Sequence, residues 1–370
     1  MSIFSKISSF FFFYFFLVSV YIVFLPKILQ TLGYSTLQIG IIFSLGPLMR
    51  FAIPFFFLKK LKLDKNIFQI ALILTIVSYV LFYFTIKNFY LFIAPNILLG
   101  LAFGIMLPYI DTQAIGILKK ERYGRARLFG SLGFMICSLV LARNLSDYSV
   151  GLNYFIFASI LVVFFGFLIS LDDKSTKTTQ NDTSEKFKFN KTLFLWISLF
   201  FVQMSFGIFY NFFTIYETSH GISLKTVSYL WTFSIICEIT LFYFQSAFFK
   251  RFKLLTLIKT AVLITATRWF LLYLFPSSLA VSYISQSLHA FGFALHHTAV
   301  ISFLYSVYEN KRLSNQFYYG ISFGLGGFIG SVFAGSFYGA NLFLYASLIA
   351  LLSLFFLFFQ KDVMELKQNS

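Results

Sequence analysis

Twelve long apolar runs follow one another between Phe10 and Phe359, broken by short polar segments. Each approaches the roughly 20 apolar residues that a helix needs to cross the hydrocarbon core of a bilayer. Nothing else in the chain limits its fold as strongly. In lipid every backbone N–H and C=O must be bonded within the protein, so runs of this length are read as spanning helices. The expected class is therefore an all-α membrane protein with twelve transmembrane helices. Composition agrees, since 11% of residues are charged against about 25% in a soluble domain. The first run follows a single Lys6. It is too long for the apolar core of a signal peptide and is read as the first span.

The net charge of +16 is carried in short loops, not on a soluble domain. That pattern excludes nucleic acid as the partner and reports membrane orientation. With the N-terminus in the cytoplasm, 23 of the 29 Lys and Arg residues fall in cytoplasmic segments and four in outer loops (Lys27, Lys87, Arg143, Lys225). Arg50 and Arg268 lie inside spans. Both termini are expected in the cytoplasm of a bacterial inner membrane. Cys137 and Cys237 sit singly in apolar runs and give neither a disulfide framework nor a metal spacing.

The longest hydrophilic stretch, LDDKSTKTTQNDTSEKFKFNK, divides the chain. It sets an N-terminal six-helix bundle over 1–170, a flexible cytoplasmic linker over 171–191, a C-terminal six-helix bundle over 192–360 and a cytoplasmic tail over 361–370. The halves look related. GYSTLQIGIIFSLGPLMRF from Gly33 overlays GISLKTVSYLWTFSIICEI from Gly221 without a gap, which sets Arg50 opposite Glu238. FGSLGF from Phe129 overlays FGLGGF from Phe323 at a similar offset. Twelve spans in two repeated halves predict the major facilitator fold, which alternates access around a midplane site. No HExxH, GxSxG or comparable catalytic constellation is present, so an enzyme is not expected.

Ionisable groups inside the spans are few, and such groups usually mark a pathway. Glu238 lies near the midpoint of span eight, where a carboxylate costs about 2.5–3.5 kcal/mol on insertion scales. Burial disfavours its charged form and a nearby guanidinium favours it. A group caught between those effects is a proton carrier if Arg268 of span nine approaches in one state and withdraws in the other; a static ion pair is the alternative. Arg268 reads equally as a fork for a substrate carboxylate. Arg50 reads as a substrate contact or as a salt bridge between the halves. His289, near the midplane of span ten, suits a proton relay. His296 and His297 are adjacent and point to different helix faces, so no metal site is expected. Asp111 lies beside the basic loop KKERYGRAR and reads as a cytoplasmic gating contact with Arg125 or Arg127. Glu217, at the outer end of span seven, reads as interfacial. Tyr21, Gln203 and Asn211, with Tyr109, Gln113 and Tyr210, are candidates to line the cavity.

Several of these pieces occur in a familiar order: FLP at Phe24, GYSTLQIG followed by Arg50, LPYIDTQAI, YGRARLFGSLGF, GISLKTVSYLW followed by Glu238, TRW at Thr267 and the span-ten histidines. Together they resemble the 3-phenylpropionate permease family, a branch of the major facilitator superfamily near lactose permease and the nucleoside–proton symporters. The resemblance implies proton-coupled import of a small organic acid, with an aromatic carboxylate as the prototype. It is similar to lactose permease in placing acid, Arg and His groups in spans eight, nine and ten, as Glu238, Arg268 and His289 are placed here. It departs in having no carboxylate in span ten, so Glu238 carries the proton alone or with a histidine. The loop FLKKLKLDKN also lacks the Gly-rich pattern usual after span two. A sugar or nucleoside symporter and an efflux carrier are the alternatives. A monomer without cofactor is expected.

Overall fold

The computed structural model describes residues 1–58, 63–172, 189–363 and 366. Most of the linker, most of the tail and the basic loop at 59–62 lie outside these. Among the described residues eleven helices are long and apolar enough to cross a membrane, and a twelfth apolar helix has 17 residues. The first bundle comprises α1 Ile3–Thr31, α2 Thr36–Leu58, α3 Lys65–Thr85, α4 Phe89–Leu118, α5 Arg122–Asn144 and α6 Tyr148–Asp172. The second comprises α7 Leu193–Ser219, α8 Leu224–Phe244, α9 Leu254–Leu274, α10 Leu279–Val307, α11 Leu313–Ser336 and α12 Leu342–Phe358. The fold is the two-bundle, twelve-helix architecture of the major facilitator superfamily.

The turns repeat between the bundles for a local reason. Gly33 and Gly221 both have positive φ, 88° and 87°, a backbone region that glycine occupies without a Cβ penalty. Two residues on, a serine caps the next helix. Ser35 Oγ accepts from the Gln38 N–H, and Ser223 Oγ accepts from the Thr226 N–H. Each satisfies a donor that the first helical turn leaves orphaned. The connection between α4 and α5 is tighter than a loop. Helical backbone runs without a break from Phe89 to Asn144, yet Asp111 and Arg127 touch at 2.6 Å. Sixteen residues of straight helix would hold them about 24 Å apart, so the chain folds back between them.

Among the described residues three helices widen to π-helical stretches, at Val20–Phe24 in α1, Ala290–Leu295 in α10 and Tyr319–Gly326 in α11. Such stretches re-aim side chains and concentrate at functional sites. The first holds Tyr21, and the second begins one residue after His289.

The start of α1 and the end of α12 lie on one side, where Lys6 pairs with Asp172 at 2.7 Å and Lys253 approaches Asp362 at 3.9 Å. On the opposite side, which the charge bias predicts to be the outer one, the bundles are closed on each other. A Cβ added at Gly40 of α2 would stand 2.5 Å from the Ser331 carbonyl oxygen and 2.9 Å from Gly335 Cα of α11. The Ser138 hydroxyl of α5 donates to the Ser228 carbonyl of α8 at 3.3 Å. Small residues let these backbones meet. Overpacking such a contact costs about 1–3 kcal/mol, which shifts the open–closed balance by roughly 5- to 150-fold. Gly40→Val is therefore expected to hold the outer ends apart. A thiol reagent should label a cysteine placed on the outer face of α11 faster than in the parent, and unchanged labelling would show that this contact does not seal the outer side.

Candidate functional site

The site is built on α8, α9 and α10, whose polar side chains turn inward because lipid offers them no partner. Glu238 Oε1 stands 2.8 Å from His289 Nε2, and His289 Nδ1 stands 2.6 Å from a terminal nitrogen of Arg268. Arginine has donors only, so Nδ1 accepts. The ring proton then sits on Nε2 and is donated to the Glu238 carboxylate. The sequence expectation set Arg268 directly against Glu238. In the fold His289 stands between them and contacts both.

Arg268 is 0% exposed. Its guanidinium lies over the Trp269 ring at 4.1 Å and the Phe209 ring at 4.8 Å. Its Nε donates to Ser285 Oγ and its other terminal nitrogen to Gln286 Oε1, both at 3.4 Å. All three partners on α10 follow from spacing, since residues at i, i+1 and i+4 from Ser285 bracket one helix face. His289 is walled by rings: Phe293 stacks on it at 5.4 Å, and Phe206, Phe209 and Tyr210 close the remaining sides. Tyr210 in turn stacks on Trp231, whose ring also meets Phe134 of the first bundle at 6.3 Å. The Glu238 side chain keeps 13% exposure. The chain of contacts thus runs from an enclosed cation, through an imidazole, to a partly exposed carboxylate.

The first bundle contributes differently. Arg50 is exposed and makes no ion pair among the described residues. It lies one residue before Phe51, against which α11 packs at Gly324. The Tyr21 hydroxyl donates to Asn96 Oδ1 at 3.3 Å. Gln203 is buried on α7, and Asn211 donates to Ser331 Oγ of α11 at 2.6 Å, which ties two helices of one bundle.

Asp111 meets Arg127 at 2.6 Å and Tyr123 at 2.9 Å. Arg125 is exposed and has no ion pair among the described residues, because it lies between two residues spaced i, i+4 and faces away. Arg127 also lies over Phe11 and Phe15 of α1, at 5.3 Å each. The pair therefore stitches α1, α4 and α5 of the first bundle, with Arg127 and not Arg125 as the partner of Asp111. Both side chains are about a third exposed, so the pair is worth roughly 1 kcal/mol at most. Asp111→Asn is expected to lower the melting temperature by a few degrees and Arg125→Ala to leave it unchanged, a contrast that thermal unfolding in detergent measures. A larger fall for Arg125→Ala would refute this assignment.

One further expectation changes. Glu217 is not interfacial: it is 0% exposed, with Ser282 of α10 as its hydrogen-bond partner. His297 Nδ1 faces the Tyr318 hydroxyl at 3.1 Å, and among the described residues no group of three or more metal-binding side chains gathers. Sequence reasoning passed over Ser282, Ser285 and Gln286. Their spacing with His289, at i, i+3, i+4 and i+7, was the available signal.

The family model described as "MFS_1 like family" matches residues 4–348. The chain belongs to that family. Among relatives of this MFS_1-like protein, the "Uncharacterized transporter YwbF" of Bacillus subtilis is 25% identical over 329 residues, covering 86% of this chain and 81% of that one. The "Probable 3-phenylpropionic acid transporter" of Escherichia coli is 25% identical over 270 residues, covering 69% and 70%. Among solved structures, a variant of the nucleoside transporter NupG has a TM-score of 0.79 at 15% identity, covering 98% of this chain and 100% of that one. The fucose:proton symporter FucP of E. coli has a TM-score of 0.60 at 17% identity, covering 97% and 98%. These likenesses show the fold. The MFS_1-like protein is a multi-pass membrane transporter.

Proposed function

We propose that this MFS_1-like transporter imports a small aromatic organic acid together with protons across the bacterial inner membrane, with both termini in the cytoplasm. One observation carries the reading: Glu238, His289 and Arg268 form an unbroken chain of contacts at 2.8 Å and 2.6 Å inside a box of aromatic rings. Glu238 is the proton carrier and His289 the group that conveys the effect of Arg268 to it. When Glu238 takes a proton, the Nε2 donor loses its anionic partner. The rings then hold a neutral pair that crosses between states without an exposed charge.

Arg50 is assigned the substrate carboxylate. It is exposed, while the Arg268 guanidinium is already committed to two rings, a serine, a glutamine and a histidine. The partly exposed Tyr210 ring suits the flat body of an aromatic acid. The relative with a 3-phenylpropionic acid name is consistent with this class. The test is competition in proteoliposomes. 3-Phenylpropionate should displace a labelled aromatic acid, and a neutral sugar or nucleoside should not. Displacement by the neutral compounds alone would replace the substrate class.

A further inference from the structure

The reading above leaves one buried carboxyl group unused. Glu217 closes the outer end of α7, fully enclosed, and the Ser282 hydroxyl stands 3.2 Å from its Oε1 and 3.0 Å from its Oε2. The same hydroxyl stands 3.2 Å from the Ser278 carbonyl oxygen. A serine hydroxyl carries one proton, and three acceptor oxygens crowd it. A proton on the carboxyl group resolves the arrangement. With that proton in place the carboxyl O–H would donate to Ser282 Oγ, freeing Ser282 to donate to the Ser278 carbonyl.

The surroundings offer no cation instead. Among the described residues Glu217 forms no ion pair. Tyr216 on its own helix interacts electrostatically with Glu217, and Tyr216 in turn faces Tyr273 of α9 and Tyr338 beyond α11. The Tyr216 hydroxyl is directed to the Leu272 carbonyl of α9. His220, at the end of α7, turns Nδ1 to the Tyr216 carbonyl. From α12 the Phe343 ring packs edge-on against Tyr216, and from α10 the polar contact is Ser282.

A second observation lies on α10. Ser282, Ser285, Gln286 and His289 share one face and are all buried. That face leads about 10 Å along the helix axis from Ser282, beside Glu217, to His289, and so to Glu238. Within it the Gln286 Nε2 donor has no hydrogen-bond partner in the described structure.

We propose that Glu217, held by Ser282, is a second proton-carrying site at the outer end of the C-terminal bundle, serving the His289–Glu238 pair along the polar face of α10. This rests on the proton-coupled reading. When the outer ends part, a proton from external water binds a Glu217 oxygen. While they are closed it is held as the neutral acid. On release the O–H bond of Glu217 breaks and the O–H bond of Glu238 forms, the proton passing along the polar face of α10 to the Glu238 carboxylate; no electrons are exchanged.

Infrared difference spectroscopy on the full chain in lipid, stepped in pH, tests this without any substrate. The wild type should show a neutral-carboxyl C=O band that is lost in Glu217→Gln and moves in Ser282→Ala. Under a pH gradient, Glu217→Gln should also slow 3-phenylpropionate uptake by about tenfold or more, with exchange preserved. A spectrum that is the same in wild type and Glu217→Gln would overturn the proposal. So would a Glu217 band that no accessible pH removes, which marks a fixed structural acid. If Glu217→Gln does not fold, the Ser282→Ala spectrum decides alone. Glu238→Gln separates the two readings: loss of coupling there with no Glu217 signal sinks this inference only, while retained coupling sinks both.

Discussion

Replacing Glu238 with glutamine is expected to abolish uphill accumulation while leaving exchange across the membrane intact. The glutamine side chain keeps the shape of a protonated glutamate and can still meet His289 Nε2, now 2.8 Å from the carboxylate. It cannot gain or lose a proton. The bundles then rock with substrate bound, but no gradient drives them. One coupled proton gives about a tenfold accumulation for each unit of pH gradient. The variant should therefore fall from that ratio to near equality at steady state, with counterflow close to the parent rate. Labelled substrate in proteoliposomes with an imposed gradient measures both quantities. Accumulation at the parent level would remove Glu238 from coupling.

Replacing Arg50 with glutamine is expected to weaken binding of the anionic substrate by one to two orders of magnitude. A hydrogen bond to a charged group contributes about 1.5–3 kcal/mol, and each 1.4 kcal/mol is about tenfold in affinity. The guanidinium is exposed and has no ion-pair partner among the described residues, which supports the proposal that it meets the substrate carboxylate. Arg50→Lys should fall between, because it keeps the charge and loses the planar fork. Binding of the corresponding amide, which has no charge, should change little. Equal losses for acid and amide would mean that Arg50 supports the fold and does not read the carboxylate. Arg268 gives a contrasting signature. Removing one member of a buried ion network costs about 3–5 kcal/mol, so Arg268→Met should lower stability as well as transport.

Much of this was legible in the chain because lipid simplifies the problem. A run of apolar residues in a bilayer has one stable backbone form, so the twelve helices follow from length alone. Gly33 and Gly221 marked equivalent turns because only glycine takes their positive φ without strain. The site was legible as a set of residues and not as a geometry. Glu238, Arg268 and His289 could be named from depth, but their order of contact depends on how α8, α9 and α10 are rotated about their own axes. Apolar runs with polar groups on several faces do not determine that rotation. Glu217 was misread for a related reason. Its position near the end of a run suggested water, and its partner Ser282 lies 65 residues away on another helix. The choice of Arg127 over Arg125 was recoverable, since Tyr123 and Arg127 share a helix face at i, i+4.

The most direct measurement is of external pH in a lightly buffered suspension of proteoliposomes as 3-phenylpropionate is added without any imposed gradient. If a proton carried on Glu238 moves with the substrate, the medium turns alkaline on addition, and the Glu238→Gln protein gives no change while still exchanging label. A carrier that takes up the acid with no pH change, or a Glu238→Gln protein that alkalinises the medium as the wild type does, would contradict the account.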